Sequence, residues 1–354
     1  MTDVRVHLTG TTWPGTAPGG LSRYFADLFA ALHRRSDVAA TAAAFGEPEA
    51  GGTTWGPDAG STLARVRASR RDVPEGADVL DRHFALFGPA PRRAALVTHF
   101  HGPWAQESAT AGEGRASVAV KALVERARYR GTDRFVVLSS AFADVLVERY
   151  GADRSRIAII PPGVDLERFT ASPVPDGPPR VLCVRRLERR MGVDVLLSAW
   201  SGVLARRPDA RLDVVGDGAE RDDLRRRAAD LGITDTVTFV GSIDDAELAR
   251  RYAAASVTVV PSRAWEGFGL VALESLASGR APVVTDVGGL PDAVRELAPD
   301  LVVPAGDADT LADRLGAALD GARPSPEACR AHAGRFSWDV AAARHAALYR
   351  AVAA

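Results

Sequence analysis

VTVVPSRAWEGFGLVALESLASGRAPVVTD, residues 257–286, holds a strand, a turn, a helix and a second strand in that order. VTVVPS is a short β-branched run closed by Pro-Ser, which reads as a buried strand. Gly269–Ser278 reads as a helix entered through glycine, and APVVTD (Ala281–Asp286) is a second buried run. Strands joined through a helix run parallel, because a tight hairpin cannot make that connection.

The same alternation continues on both sides. Before it lie strand RVLCVRR (Arg180–Arg186), an amphipathic segment from Gly192 to about Arg207, strand LDVVG (Leu212–Gly216), helix Glu220–Leu231, strand VTFVG (Val237–Gly241) and helix Asp244–Ala255. After it come a short helix near Pro291–Leu297, strand LVVP (Leu301–Pro304) and helix Ala308–Leu319. Near-continuous Val/Leu/Ile strands with helical connections predict a parallel sheet covered on both faces, a doubly wound α/β domain. The first half alternates less cleanly. VRVHLT (Val4–Thr9) is a strand, and LSRYFADLFAALH (Leu21–His33) is an amphipathic helix entered through Gly19-Gly20. Further strands are expected at Ala40–Phe45, Asp78–Phe84, Ala95–His101, Phe135–Ser139 and Arg156–Ile160. Residues 46–60 read as a loop, and residues 105–116 as a polar, mobile stretch.

The chain has 354 residues, which favours two domains over one core. ASPVPDGPPR (Ala171–Arg180) carries four prolines in ten residues and is the expected linker. The expected layout is an N-terminal domain over 1–170, the linker over 171–180 and a C-terminal domain over 181–336. An Ala-rich helix over 337–354 is expected to pack back toward the first domain. Hydrophobic content of 46%, charged content of 25% and a formal net charge of −1 describe a soluble globular chain with no overall bias toward nucleic acid. Cys183 and Cys329 form no CxxC pair, so neither a disulfide framework nor a zinc site is expected. MTDVRVHLTG lacks a basic and then apolar leader, and no apolar run reaches the ~18–20 residues of a spanning helix, so a cytoplasmic protein is expected.

The chemistry concentrates at EGFGLVALE, residues 266–274. A helix N-terminus offers unpaired N–H groups and a positive dipole end, a seat for phosphate. Glycines there let a ligand approach the backbone, and a carboxylate at Glu274 can accept from a vicinal diol. The alternative makes Glu266 a dipole partner and Glu274 a solvated acid. Spacing alone leaves the two readings level.

The stretch RAWEGFGLVALESLASGRAPVVTDVGGLPD resembles the donor-site block of the retaining, GT-B-fold glycosyltransferases of family 4, with its E-G-F-G-x-x-x-x-E pattern. VVGDGAERDDLRRRAADLGITDTVTFVGSI, IIPPGVDLERF (Ile159–Phe169) and RRLERRMGVDVLLSAW resemble other blocks of that family, in the family's order. The resemblance implies two facing Rossmann-like domains with parallel sheets, the acceptor on the first and the nucleotide sugar on the second. It implies transfer of a hexose-type sugar from a UDP- or GDP-sugar to a hydroxyl of a small molecule, natural product, lipid or glycan. No metal and no tightly bound cofactor are expected. Glu266 would contact the donor sugar. Phe268, Gly269 and Leu270 would present backbone N–H groups, and Glu274 would hold the ribose. Arg186 would pair with the diphosphate. Gly216 and Gly218 would leave room for the nucleotide, and Gly241, Ser242 and Ile243 would lie near the base. Gly19 and Gly20 match the glycine loop that approaches the donor phosphates. Without the resemblance that pair is a flexible helix entry.

This chain departs from the family at Met191, where a lysine is usual. A thioether cannot serve as a cation, and Arg190, with Arg189 beside it, is the expected substitute. In ALVTHFHGPW (Ala95–Trp104), His99 and His101 lie two apart and so point to one face of a strand. By the resemblance His101 is the catalytic histidine, with His99 behind it, and Trp104 and Glu107 follow toward the acceptor. The basic helix KALVERARYRGTDR (Lys121–Arg134) is a solvated face or a weak peripheral membrane contact. Asp307-Ala308-Asp309 resembles a metal-binding DxD but sits at a helix start, where aspartate caps. Rival readings are a sugar-nucleotide epimerase or hydrolase on similar domains, and a non-catalytic nucleotide-sugar-binding protein. The lack of GxGxxG after the first strand argues against a dinucleotide enzyme.

Overall fold

The computed structural model describes residues 3–16, 19–71, 76–91 and 93–354. The chain divides into two compact units: Met1–Gly163 with Trp338–Ala354, and Val164–Ser337.

The first unit is built on seven parallel strands: β1 (Val4–Thr12), β2 (Val38–Phe45), β3 (Gly52–Thr54), β4 (Val79–Arg82), β5 (Ala95–Phe100), β6 (Arg134–Val137) and β7 (Ile157–Ile159). Their spatial order is β3-β2-β1-β4-β5-β6-β7. The chain winds outward from β1 one way and from β4 the other, so the order reverses between β1 and β4. In open α/β sheets ligands bind outside the carboxyl ends at such a reversal. Helix Gly20–His33 closes one face by burying Tyr24, Phe25, Leu28, Phe29 and Leu32. The C-terminal helix Trp338–Ala353 packs on that helix and on β1.

The second unit has six parallel strands: β8 (Arg180–Val184), β9 (Arg211–Val215), β10 (Val237–Gly241), β11 (Val257–Val260), β12 (Pro282–Thr285) and β13 (Val302–Val303). They are ordered β10-β9-β8-β11-β12-β13, so the reversal falls between β8 and β11. Val181, Leu212, Val257, Val259, Val283 and Val284 are wholly buried or nearly so. Burying such a side chain stabilises by roughly 1.5–3 kcal/mol, and this explains the unbroken apolar runs.

Four segments differ from expectation. The stretch 46–60 contains β3, which pairs Gly52 with Ala42. The stretch 105–116 is largely helical, in Trp104–Thr110 and the start of Arg115–Tyr129. The chain passes between units at Gly163/Val164 and Ser337/Trp338, not in the proline-rich stretch. Val164 N–H donates to the Phe336 carbonyl at 2.7 Å, so the two passing segments lie side by side. Residues 171–180 belong to the second unit. There the fully buried Arg280 guanidinium donates to the Ser172 carbonyl at 2.7 Å and the Pro173 carbonyl at 3.0 Å. Proline carbonyls without ladder partners are good acceptors for such a strap.

Candidate active site

The carboxyl edge of the second sheet is shaped by backbone packed on backbone. Gly216 follows β9 with φ 125, and a Cβ there would lie 2.0 Å from the Arg185 carbonyl oxygen. A Cβ on Gly218 would meet the Leu187 carbonyl at 2.4 Å. The space these glycines leave is therefore filled by the chain's own β8 end. Gly241 ends β10, and its carbonyl accepts from Gly216 N–H at 2.9 Å, while Ser242 is exposed and Ile243 half-buried beyond it.

EGFGLVALE forms the expected corner. Gly269, at φ 88, precedes the helix Leu270–Ala277. This conformation is one that residues with a Cβ resist. Trp265 is the one non-glycine residue with positive φ (53) among those described. Backbone held in this region costs of order 1–3 kcal/mol and occurs mostly at functional sites. Phe268 is buried and packs on Phe336 with ring centroids 5.5 Å apart. The first N–H groups of the helix, from about Leu270, have no partner within it.

Both glutamates are buried, Glu266 at 7% exposure and Glu274 at 8%, so neither is a solvated surface acid. Tyr252, wholly buried, donates its hydroxyl to Glu274 Oε2 at 2.9 Å. Burial and the facing Glu274 carboxylate raise the tyrosine's pKa well above its usual value, so it stays a donor. Glu266 accepts from Ser262 Oγ at 3.1 Å and from the Arg185 guanidinium.

The arginines after β8 divide unexpectedly. Arg186 is exposed and pairs with Glu188 at 2.9 Å. Arg190, the expected substitute for lysine, instead donates to the Trp265 carbonyl at 3.3 Å and lies 3.5 Å from Glu188. Arg185 is the one that reaches the Met191 sulfur, at 2.7 Å. Sequence reading passed over Arg185. Strand alternation puts it on the side of buried Cys183, the only local signal that could have singled it out.

At the first sheet the carboxyl ends of β4 and β5 carry Asp81, His83, His99 and His101. His99 Nε2 lies 3.1 Å from the Asp81 carboxylate, and Tyr349 of the C-terminal helix donates its hydroxyl to the same carboxylate. His101 Nε2 is 3.4 Å from His83 Nδ1, and its ring meets Tyr24 edge-on with centroids 4.9 Å apart. Burial pushes Asp81 upward, but His99 and His83 hold it well below the usual carboxylate range. Burial drives His99 down to about 3 and takes His101 well below its normal value, so both are uncharged near neutrality. Asp81 and His83 were missed by sequence reading, although their spacing within DRHF puts them on one strand face.

The ring nitrogens of His83, His99 and His101 lie within 4.8 Å of one another, the separation a metal site would need. The His83 and His99 rings, however, stack at 3.8 Å with planes 18° apart. A metal lies near the plane of each ligating ring at ~2.0–2.1 Å, so two stacked rings cannot both aim at one ion. As placed, the His83 and His99 rings stack and do not converge on one point.

The remaining expected residues are dispersed. Gly19 and Gly20 are exposed, and a Cβ on either would meet nothing within 4 Å. Trp104 N–H donates to Glu125 Oε1 at 2.9 Å, and Glu107 Oε1 would lie 2.5 Å from a Cβ on Gly102. On the basic helix, Lys121 bonds Ser108 at 2.6 Å and Arg128 bonds the Ala85 carbonyl at 2.7 Å, so these two cations hold the chain itself. Asp307 accepts from Thr310 N–H at 3.0 Å and caps its helix. No helix among the described residues is long and apolar enough to cross a membrane.

Two doubly wound units, each with polar groups gathered at carboxyl strand ends, define a two-domain α/β protein whose candidate ligand sites lie at those edges. Residues 165–335 match the model of glycosyl transferases group 1, and residues 18–168 match that of Glycosyltransferase Family 4. The D-inositol 3-phosphate glycosyltransferase of Nocardia farcinica is 36% identical over 303 residues, 78% of this chain and 67% of that protein. Its counterpart in Acidothermus cellulolyticus is 34% identical over 305 residues, 78% of this chain and 68% of that one. Among solved structures, sucrose-phosphate synthase from Thermosynechococcus elongatus superposes with a TM-score of 0.79 at 25% identity, over 98% of each chain. Anabaena Alr3699/HepE, solved with UDP and glucose, shares the fold at a TM-score of 0.75 and 17% identity, over 98% of this chain and 100% of that one. The chain belongs to the group 1, family 4 glycosyltransferases and has their GT-B fold.

Proposed function

We propose that this glycosyltransferase moves a hexose-type sugar, with retention, from a UDP- or GDP-sugar to a hydroxyl acceptor. The observation that carries the reading is the corner at residues 266–274. There a buried carboxylate, a left-handed glycine and a helix start meet beside the β8/β11 reversal. The first helix N–H groups would take the diphosphate, Glu266 the sugar hydroxyls, and Glu274, oriented by Tyr252, the ribose diol. Arg186, at the exposed edge, would reach the outer phosphate.

For retention the acceptor oxygen attacks the anomeric carbon on the face the diphosphate leaves. The bond to the leaving phosphate oxygen breaks, and that oxygen takes the acceptor's proton. No strong protein base is then needed, which suits the uncharged His101 as a group that orients the sugar. Fixed donors at the departing charge replace the metal other glycosyltransferases use. The curated relatives' names make a phosphorylated cyclitol the first acceptor to try.

The test is incubation with UDP- and GDP-hexoses, with and without inositol phosphates and other polyols. Nucleotide release is measured, and the product's anomeric proton is read by NMR. Acceptor-dependent release with unchanged anomeric configuration is expected. An inverted product would overturn retention, and equal release without acceptor would reduce the activity to hydrolysis.

A further inference from the structure

Arg185 follows β8 directly, at the reversal of the second sheet, and its side chain is only 8% exposed. A buried guanidinium needs counter-charge and acceptors for its five N–H groups. One nitrogen is well served: Nη2 donates to Ser262 Oγ at 2.6 Å, contacts Met191 Sδ at 2.7 Å and pairs with Glu266. Nε is buried with no partner at all. The group is thus under-satisfied and has a donor left for an acceptor that the surrounding protein does not supply.

Met191 fits this arrangement. A cation at 191 would stand against the Arg185 guanidinium, whereas a neutral thioether lets it lie close. Arg186 and Arg190 are bound to Glu188 and to the Trp265 carbonyl. Among these three arginines, Arg185 alone both touches Met191 and pairs with Glu266.

We propose that Arg185 is a ligand of the donor's diphosphate that is parked on Glu266 while the site is empty. The proposal rests on the nucleotide-sugar reading above. An arriving diphosphate competes with Glu266 for the guanidinium and accepts from the unpartnered Nε–H. Losing Arg185, the Glu266 carboxylate becomes free to accept sugar hydroxyls. Phosphate binding and sugar positioning are then linked through one ion pair, and Glu266 is withheld until the diphosphate is seated.

Calorimetric titration of the full chain with UDP, GDP, UMP, GMP and the free nucleosides tests this. Wild type is compared with Arg185→Met, Arg185→Lys, Glu266→Gln and the double variant Arg185→Met/Glu266→Gln. Loss of a charged hydrogen-bonding group should weaken the diphosphates by about 10- to 100-fold. Nucleoside affinity should stay unchanged, and lysine should restore part of the loss. Because the free diphosphates carry no sugar, Glu266→Gln should tighten them, by roughly 3-fold or more, by removing the competitor. That gain should vanish in the double variant, which also avoids leaving a lone buried charge if Arg185→Met folds poorly. If wild type binds neither diphosphate, the nucleotide-sugar reading and this proposal fall together. If wild type binds but Arg185→Met binds equally well, or Glu266→Gln binds no better, the proposal falls and the donor reading stands.

Discussion

The two sheets reverse their strand order in the same way, between β1 and β4 in one and between β8 and β11 in the other. What they hold at the carboxyl edge differs. The first carries stacked histidine rings, with His99 and His101 held uncharged by burial, beside one carboxylate. The second carries a fixed cation and anion with a helix start beside them. The fold therefore supplies a location, and the side chains decide its electrostatics. Opposite charges held out of water form a site that an anion can reorganise, because one partner can be exchanged for another. Neutral rings such as those of His99 and His101 have no charge to exchange. On the proposed reading they would orient a sugar, while the charged edge would grip the phosphate.

The strongest way to break this contrast is to neutralise the second edge. Glu266→Ala should lower transfer by about 10²–10³, the scale for removing one positioned polar group at a reacting centre. It should also lower the melting temperature, since Arg185 is left buried without its counter-charge. Steady-state kinetics and a melting curve check both effects, and a fully active variant would remove the donor site from this corner. Next in size, His101→Ala should depress turnover by roughly 10²-fold while leaving diphosphate affinity nearly unchanged. An equal loss in both would place the histidine with donor binding and erase the division of labour between the edges.

Smaller effects sharpen the comparison. Glu274→Gln should weaken nucleotide-sugar binding by about 10-fold, from one charge-assisted hydrogen bond, with turnover at saturation nearly intact. Calorimetry and saturation kinetics separate the two. The last effect bears on stability and not on activity, and concerns the ring stack in acid. Burial lowers His99 to about 3 and His345 to about 4. Below about 6.5 the unfolded histidines bind protons that the folded ones refuse, so stability falls as the pH drops toward 4. The slope is up to ~1.4 kcal/mol per pH unit for each histidine. Asp81, also held low, has linkage of the same sign at lower pH: its contribution is complete above the usual carboxylate pKa and is lost in stronger acid. A melting series from pH 7 to pH 4 should show the fall, and His345→Phe should make it shallower. A flat wild-type series would mean the rings are not kept uncharged.

Much of the fold was legible in sequence. Val/Leu/Ile runs such as VTVVPS and LDVVG can only be covered strands, and the glycine corner at 267–269 marked a helix start. What was not legible had weak local signals. β3 lies in a Gly/Thr/Pro stretch with no alternation, and Trp104–Thr110 has too few apolar positions to show a helical period. The four prolines of 171–180 marked an irregular segment correctly in kind. Whether it swings or is strapped down depended on Arg280, a hundred residues later.

The candidate site divides along the same line. Sequence by itself determined the alternation, the glycine corner and the pair of glutamates, because each depends on residues within one turn or one strand. Tertiary structure alone decided which of Arg185, Arg186, Arg189 and Arg190 meets Glu266. It also decided that Asp81 and His83 underlie His99 and His101. These contacts join residues on different strands, and strand order, which brings the ends of β8 and β11 together, is not written in any single segment. A buried charge finds its partner only when the sheet has been assembled, and so the chemistry of both edges became readable only in the fold.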